Sequence, residues 1–289
     1  MKISKKTLSI ILFVLAGICV LAAVILLVKG RIEDRRMEEA LDELRPTQSA
    51  ETTQAPSTVE GEPTVTASPE PSTEETPAST EEFERVSNPY ADSFLANKDM
   101  AAWLQIPGTN IDYPVVQGLD NVYYRNHSFN KNFSEYGTPF FSSSVSFTGA
   151  AVENRSMTIF GNNTDEILQE DDGQMFSQLT LYAASDMEFL KAHPVIEMNT
   201  IYENANWKIF GVFVMDDQET DTFDFTRSQF ESDEDFLAFV SAIRARSLFH
   251  LPVEVDASDH LLLLTTEAEE LGGFDGARLV VAARQVREG

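Results

Sequence analysis

Apolar and polar positions divide the chain into three stretches of different character. Residues 7–28 (TLSIILFVLAGICVLAAVILLV) carry no charge. As a helix rising about 1.5 Å per residue they would span about 33 Å, enough for the hydrocarbon core of a bilayer. The run is too long for the apolar region of a cleaved signal peptide, and no small-x-small cleavage site precedes Lys29. The pattern therefore predicts an uncleaved transmembrane helix. Residues 31–44 are rich in helix formers and place Met37, Leu41 and Leu44 on one helical face. This predicts a short juxtamembrane helix over 29–45, with a small dimerisation seam as a second reading of that face. From Pro46 to Glu81 the chain is mostly Pro, Thr, Ser and Glu, without Lys, Arg or an aromatic residue. Such a segment cannot bury enough apolar surface to offset its ordering entropy. It predicts a disordered linker over 46–87, a stalk whose fully extended reach is at most about 110 Å.

From residue 88 the pattern becomes that of one globular domain of ordinary size, 88–289. Pro89 to Met100 predicts a helix packing Tyr90, Phe94 and Leu95. Ala102–Ile106 and Ile111–Gln117 read as strands on either side of the Pro107-Gly108 turn, with Pro114 marking an edge or a bulge. Further short strands are predicted at Pro139–Ser142 and Met157–Phe160, and helical segments at Met175–Ala183 and Met187–Lys191. Val195–Ile201 and Trp207–Met215 alternate like a hairpin. Ser232, followed by Asp233, Glu234 and Asp235, is a strong N-cap. It opens an amphipathic helix with Phe236, Leu237, Phe239, Val240 and Ile243 on its apolar positions, ending near Phe249. Leu261–Leu264 is an unbroken apolar run leading into Thr265-Thr266-Glu267, and a last strand begins at Ala277-Arg278-Leu279-Val280-Val281. Paired, these two strands bring Glu267 and Arg278 together at one end of a sheet. Many short strands with scattered helices predict a mostly β fold, a mixed barrel rather than a parallel α/β sheet.

Charge and cysteine usage narrow the chemistry. Lys plus Arg number 21 against 47 Asp plus Glu, a formal net charge of −26. This disfavours nucleic acid, whose sequence-independent binding rests on clustered Lys and Arg. Cys19, inside the apolar run, is the single cysteine. The domain after it has no disulfide, no thiolate nucleophile and no Cys-based metal site. Carboxylates Glu267, Glu269, Glu270 and Asp275 cluster near the last turn, and acidic runs lie at 165–172 and 216–224. None has EF-hand spacing, so they read as solvated loops and no metal or cofactor is expected.

Several stretches together resemble the class B sortases. They are Asn97 to Met100, Ala102 to Gln117 (AWLQIPGTNIDYPVVQ), Asn121 to His127 (NVYYRNH), Thr158 to Asn163 (TIFGNN), Gly173 to Leu179, the long helix from Ser232, and Ala277 to Val281. The resemblance covers nearly all of 88–289. It implies a closed sortase-like mixed β-barrel with an N-terminal helix and a long helix before the last two strands. It also implies a single-pass protein of the Gram-positive cell membrane, with residues 1–6 cytoplasmic and the domain outside. Lys and Arg flank both sides of 7–28 and do not fix that orientation by themselves.

Sortases are membrane-anchored cysteine transpeptidases. They cleave a sorting signal through a thioester, with a His to protonate the leaving amine and an Arg to stabilise charge or orient the substrate. Carried over onto this chain, the family His falls on Asn162, the family Cys falls on Glu267, and the family Arg falls on Arg278. Asparagine cannot shuttle a proton at neutral pH, and a carboxylate is a poor substitute for a thiolate. Thr266, one residue away, would need an activating base. Among the histidines, His127 is the best candidate for a relocated base. The resemblance so qualified implies a catalytically inactive sortase-like protein outside the membrane. Its expected partners are a sorting-signal-like peptide, a cell-wall protein or an active sortase. The alternative is an active family member with non-cysteine chemistry.

Overall fold

The computed structural model describes residues 39, 41–45, 90–147, 154–169, 173–200, 203–216 and 222–287. The transmembrane span expected at 7–28 and the linker at 46–87 lie outside the described residues. Among those described, no helix is long and apolar enough to cross a membrane.

Eight strands close into a barrel. In chain order they are β1 (Met100–Gln105), β2 (Asp112–Val116), β3 (Phe140–Phe141), β4 (Ser156–Phe160), β5 (Val195–Thr200), β6 (Asn204–Asp216), β7 (Leu261–Glu267) and β8 (Ala277–Gln285). The order around the barrel is β1-β2-β3-β4-β7-β8-β6-β5, and β5 pairs back onto β1. Pairing is antiparallel except between β2 and β3 and between β4 and β7. The mixed barrel is thus the architecture that the patterning and the resemblance led to. Pro114 sits inside β2 without breaking it, because β2 meets β3 only at Val116 and leaves little of the ladder that a missing N–H would interrupt.

The helices are α1 (Ala91–Ala96), α2 (Thr164–Leu168), α3 (Glu188–Ala192), α4 (Asp233–Arg246) and α5 (Glu269–Gly272). α1 is shorter than the expected 89–100 helix. Asn97 turns extended, and its side-chain oxygen accepts from the Asp99 amide at 2.9 Å, so the chain enters β1 instead of another turn. Leu95 is 81% exposed rather than packed; Tyr90 does the packing, stacked on Trp103 at 4.6 Å. Over 177–183 the chain forms a 3-10 run rather than an α-helix. α4 begins as expected, the Ser232 hydroxyl accepting from the Asp235 amide at 3.2 Å. It buries Phe236, Phe239, Val240 and Ile243, but Leu237 faces outward. It ends at Arg246, before the expected Phe249, because Ser247 is drawn into β6 by a bond from the Val212 amide to its hydroxyl at 3.1 Å. Gly211 permits this approach, since a Cβ there would lie 2.8 Å from Ile243.

α4 also explains the unbroken apolar run of β7. Side chains alternate along a strand. Leu262 and Leu264 point into the barrel, where they meet Leu104, Ile159 and Val281. Leu261 and Leu263 point outward, into a second cluster with Phe236, Phe239 and Ile243 of α4. A strand buried on both faces has no polar side to alternate with.

Candidate functional site

The site lies where β4, β7 and β8 end together. β4 runs parallel to β7 and exits through Gly161-Asn162-Asn163, and β8 returns antiparallel with Arg278 directly opposite Glu267. Gly161 is required at the exit, because a Cβ there would lie 2.4 Å from the Phe176 ring. A pocket of about 240 Å³ opens at this end. Phe140, Phe160 and Phe225 form its apolar walls, and Asn121, Arg125, Asn162, Thr226, Glu267 and Arg278 supply its polar groups.

Glu267 is bonded on both carboxylate oxygens. Oε1 accepts from Arg278 Nη1 at 3.2 Å and from Arg125 Nη2 at 2.8 Å, and Oε2 accepts from the Asn163 amide at 3.1 Å. The Arg278 side chain is only 6% exposed, lies over the Phe160 ring at 5.4 Å and donates from Nε to the Thr265 hydroxyl at 3.3 Å. Arg125 is 49% exposed and forms the solvent side of the cluster. Burial pushes the Glu267 carboxyl up. The Arg278 charge, backbone amides including that of Asn163, and the Arg125 charge outweigh it and hold the group below the usual carboxylate range. Glu267 is therefore a paired anion at neutral pH.

Asn162 lines the pocket but is committed elsewhere. Its Nδ2 donates to the carbonyl of Arg125 at 2.7 Å and of Tyr136 at 3.1 Å. The side chain thus pins the 125–136 loop, the loop that carries Arg125 to Glu267. Asn163 bridges the same region, donating from Nδ2 to the Glu267 carbonyl at 3.0 Å and capping α2 through its side-chain oxygen. Thr266 is fully buried and donates to the Gly161 carbonyl at 2.8 Å. Alternation along β7 aims it away from the pocket that Glu267 lines.

None of the four histidines lines this pocket. His127 stacks on Tyr123 at 4.0 Å and bonds its carbonyl through Nδ1 at 2.7 Å; His193 contacts the Pro107 carbonyl at 2.7 Å. The carboxylates of the last turn do not converge either. Glu269 accepts from the Gly276 amide at 2.9 Å, and Glu270 offers its amide to Glu166 at 2.8 Å. Among the described residues no group of three or more His, Cys, Asp or Glu is placed to hold a metal ion.

The sequence reading brought Asn162, Glu267 and Arg278 to one place and missed Arg125. That residue lies in the Asn121–His127 stretch of the resemblance, but it reaches Glu267 across 142 positions of chain, a separation that no local pattern reports. A cation directly after the Tyr123-Tyr124 pair was the one signal available.

No family model matches the chain. It is 29% identical to sortase B of Listeria monocytogenes over 190 residues, which cover 66% of this chain and 71% of that protein. It is 26% identical to sortase B of Staphylococcus aureus over 192 residues, 66% and 72% respectively. In three dimensions it matches a mutant form of Clostridium perfringens sortase B with a TM-score of 0.60 at 25% identity, covering 69% of this chain and 87% of that one. A Staphylococcus aureus sortase B–substrate complex matches with a TM-score of 0.60 at 24% identity, covering 71% and 88%. The closed mixed barrel and a sequence similarity that runs through about two-thirds of the chain make this protein similar to the class B sortases.

Proposed function

We propose that this protein is a sortase-shaped binding or assembly protein that does not carry out transpeptidation. The observation that carries the reading is the state of Glu267. At the position that the resemblance gives to the nucleophile stands a carboxylate whose two oxygens are taken by Arg278, Arg125 and the Asn163 amide. Acyl transfer from an amide needs a strong nucleophile and a proton donor for the leaving amine. A carboxylate held anionic between two guanidinium groups is a weak base and no acid. Asn162 spends its amide protons on backbone carbonyls. The one cysteine of the chain, Cys19, is far from this domain in sequence.

The pocket supports binding, because groove recognition of an extended peptide rests on backbone and side-pocket contacts and not on a nucleophile. A related barrel is known as a sortase B–substrate complex. On this reading the partner is a sorting-signal-like peptide, a cell-wall protein or an active sortase. The domain stands outside the membrane, tethered through 7–28, in cell-wall protein sorting or assembly. The support for the tether is the uncharged apolar run itself.

The test is titration of the full chain against a fluorescent sorting-signal-like peptide, followed by mass spectrometry of peptide and protein. Expected are saturable binding, weakened at least tenfold by Arg278→Ala, and a peptide recovered intact. Amide cleavage or transfer abolished by Glu267→Ala would overturn the reading and favour a family member with altered chemistry.

A further inference from the structure

The short helical segment at 41–45 is seated on the barrel. Leu41 is 9% exposed and belongs to the main core, together with Tyr113 and Met175. Leu44 packs on the cluster of Tyr90, Trp103, Phe129 and Phe140. Arg45 Nε pairs with Asp112 of β2 at 3.1 Å, and the same carboxylate accepts from Trp103 Nε1 at 2.7 Å. The Ser93 hydroxyl of α1 donates to the Leu44 carbonyl at 2.7 Å. The last contact fixes the topology. Leu44 stands beside Ser93, so Arg45, where one described segment ends, and Tyr90, where the next begins, lie close together.

We propose that 41–45 is a strap that docks the N-terminal segment onto the barrel, so that the residues flanking 46–89 are held side by side and this stretch does not act as a spacer. Apolar burial at Leu41 and Leu44, one ion pair and one hydrogen bond join its two ends. The surface around Asp112, Ser93 and Phe129 is then an interaction surface whose partner is the N-terminal segment of the same chain. A stretch whose ends are held together does not set the distance between the barrel and whatever precedes residue 41. If 7–28 is an anchor, as the proposed function holds, the spacing is set by residues 29–40. Even fully extended these twelve residues reach at most about 43 Å, against the roughly 110 Å of the extended linker. The barrel would thus be held nearer the membrane surface than the extended linker would place it. Loop-closure entropy grows only slowly with length, so the composition and length of 46–89 are free to vary without loosening the strap. Leu44 also shares its cluster with Phe140, a wall of the Glu267 pocket.

The test is a distance between Glu43 and Asp92, both exposed and flanking the joint. The full chain carries Cys19→Ser, Glu43→Cys and Asp92→Cys, is spin-labelled and reconstituted in lipid nanodiscs, and is measured by pulsed dipolar spectroscopy. A docked strap gives one narrow distribution below about 25 Å, unchanged when residues 56–79 are deleted. A free linker of this length gives a broad distribution near about 40 Å that shortens with the deletion, and that result overturns the proposal. Leu41→Asp with Arg45→Glu converts the first pattern into the second; a short distance that survives both substitutions also overturns it. A thermal melt followed by tryptophan fluorescence confirms that the barrel of that variant is folded. Peptide binding is read separately on the same samples, so that failure of the strap and failure of the binding proposal are told apart.

Discussion

The two halves of β7 are made by different forces. Leu261–Leu264 is apolar on both faces, one set in the barrel and the other under α4. Thr265–Glu267 carries polar groups, each bonded to a particular partner: the Arg278 guanidinium on Thr265, the Gly161 carbonyl on Thr266, and two arginines and an amide on Glu267. The first half asks only for volume and hydrophobicity, which several residues satisfy. The second half asks for specific atoms at specific distances, and losing one strands the others. Packing can therefore be satisfied in one half of a strand by any of several residues, while the other half depends on particular side chains.

Four measurements break or sharpen that contrast. The largest effect is expected from Leu264→Ala, which removes a fully buried side chain and leaves a cavity; chemical denaturation should show a loss of about 3–5 kcal/mol. Glu267→Ala follows, at about 3 kcal/mol in the same assay, because Arg278 keeps its charge inside the fold with its main partner gone. The third is a pH dependence. The Glu267 carboxyl is held below its usual value of 4.5, so its contribution is fully present above that value and is lost as the pH falls through the depressed one. The stability gap between the wild type and Glu267→Gln should therefore narrow on acidification below about pH 4.5. The comparison of the two proteins is needed because Glu166 works the other way. Burial, aided by the charges of Glu269 and Glu270, raises its carboxyl, and its contribution improves as the pH falls. The smallest effect belongs to Arg125→Ala, at most about 1 kcal/mol, because that half-exposed partner is screened by solvent. A loss for Arg125→Ala as large as that for Glu267→Ala would mean that the solvent side of the cluster, not Arg278, holds the site together.

The contrast also marks what could be read from sequence. The leucine run, the Ser232 cap and the strands around Pro107-Gly108 are local patterns, and each appears where the pattern put it. Leu95 and Leu237 were misjudged because helical periodicity gives a face but not the neighbour it meets; one lies at the frayed end of a short helix and the other on the outer edge of α4. Expecting Glu267 opposite Arg278 succeeded because antiparallel register links residues across a short turn. Arg125 escaped because its partner is far away in the chain.

The sequence by itself determined the mixed barrel, the unbroken apolar run of β7 and the identities at 162, 267 and 278, since period, capping and composition act over a few residues. Only the tertiary structure decided that Glu267 is shared by two arginines, that Asn162 pins the loop bringing the second one, and that Leu41, Leu44 and Arg45 sit on the barrel beside Ser93. Those contacts join segments that no local preference relates. They exist because closing the barrel brings the ends of distant strands and loops together, where the charges and polar groups left there must find one another.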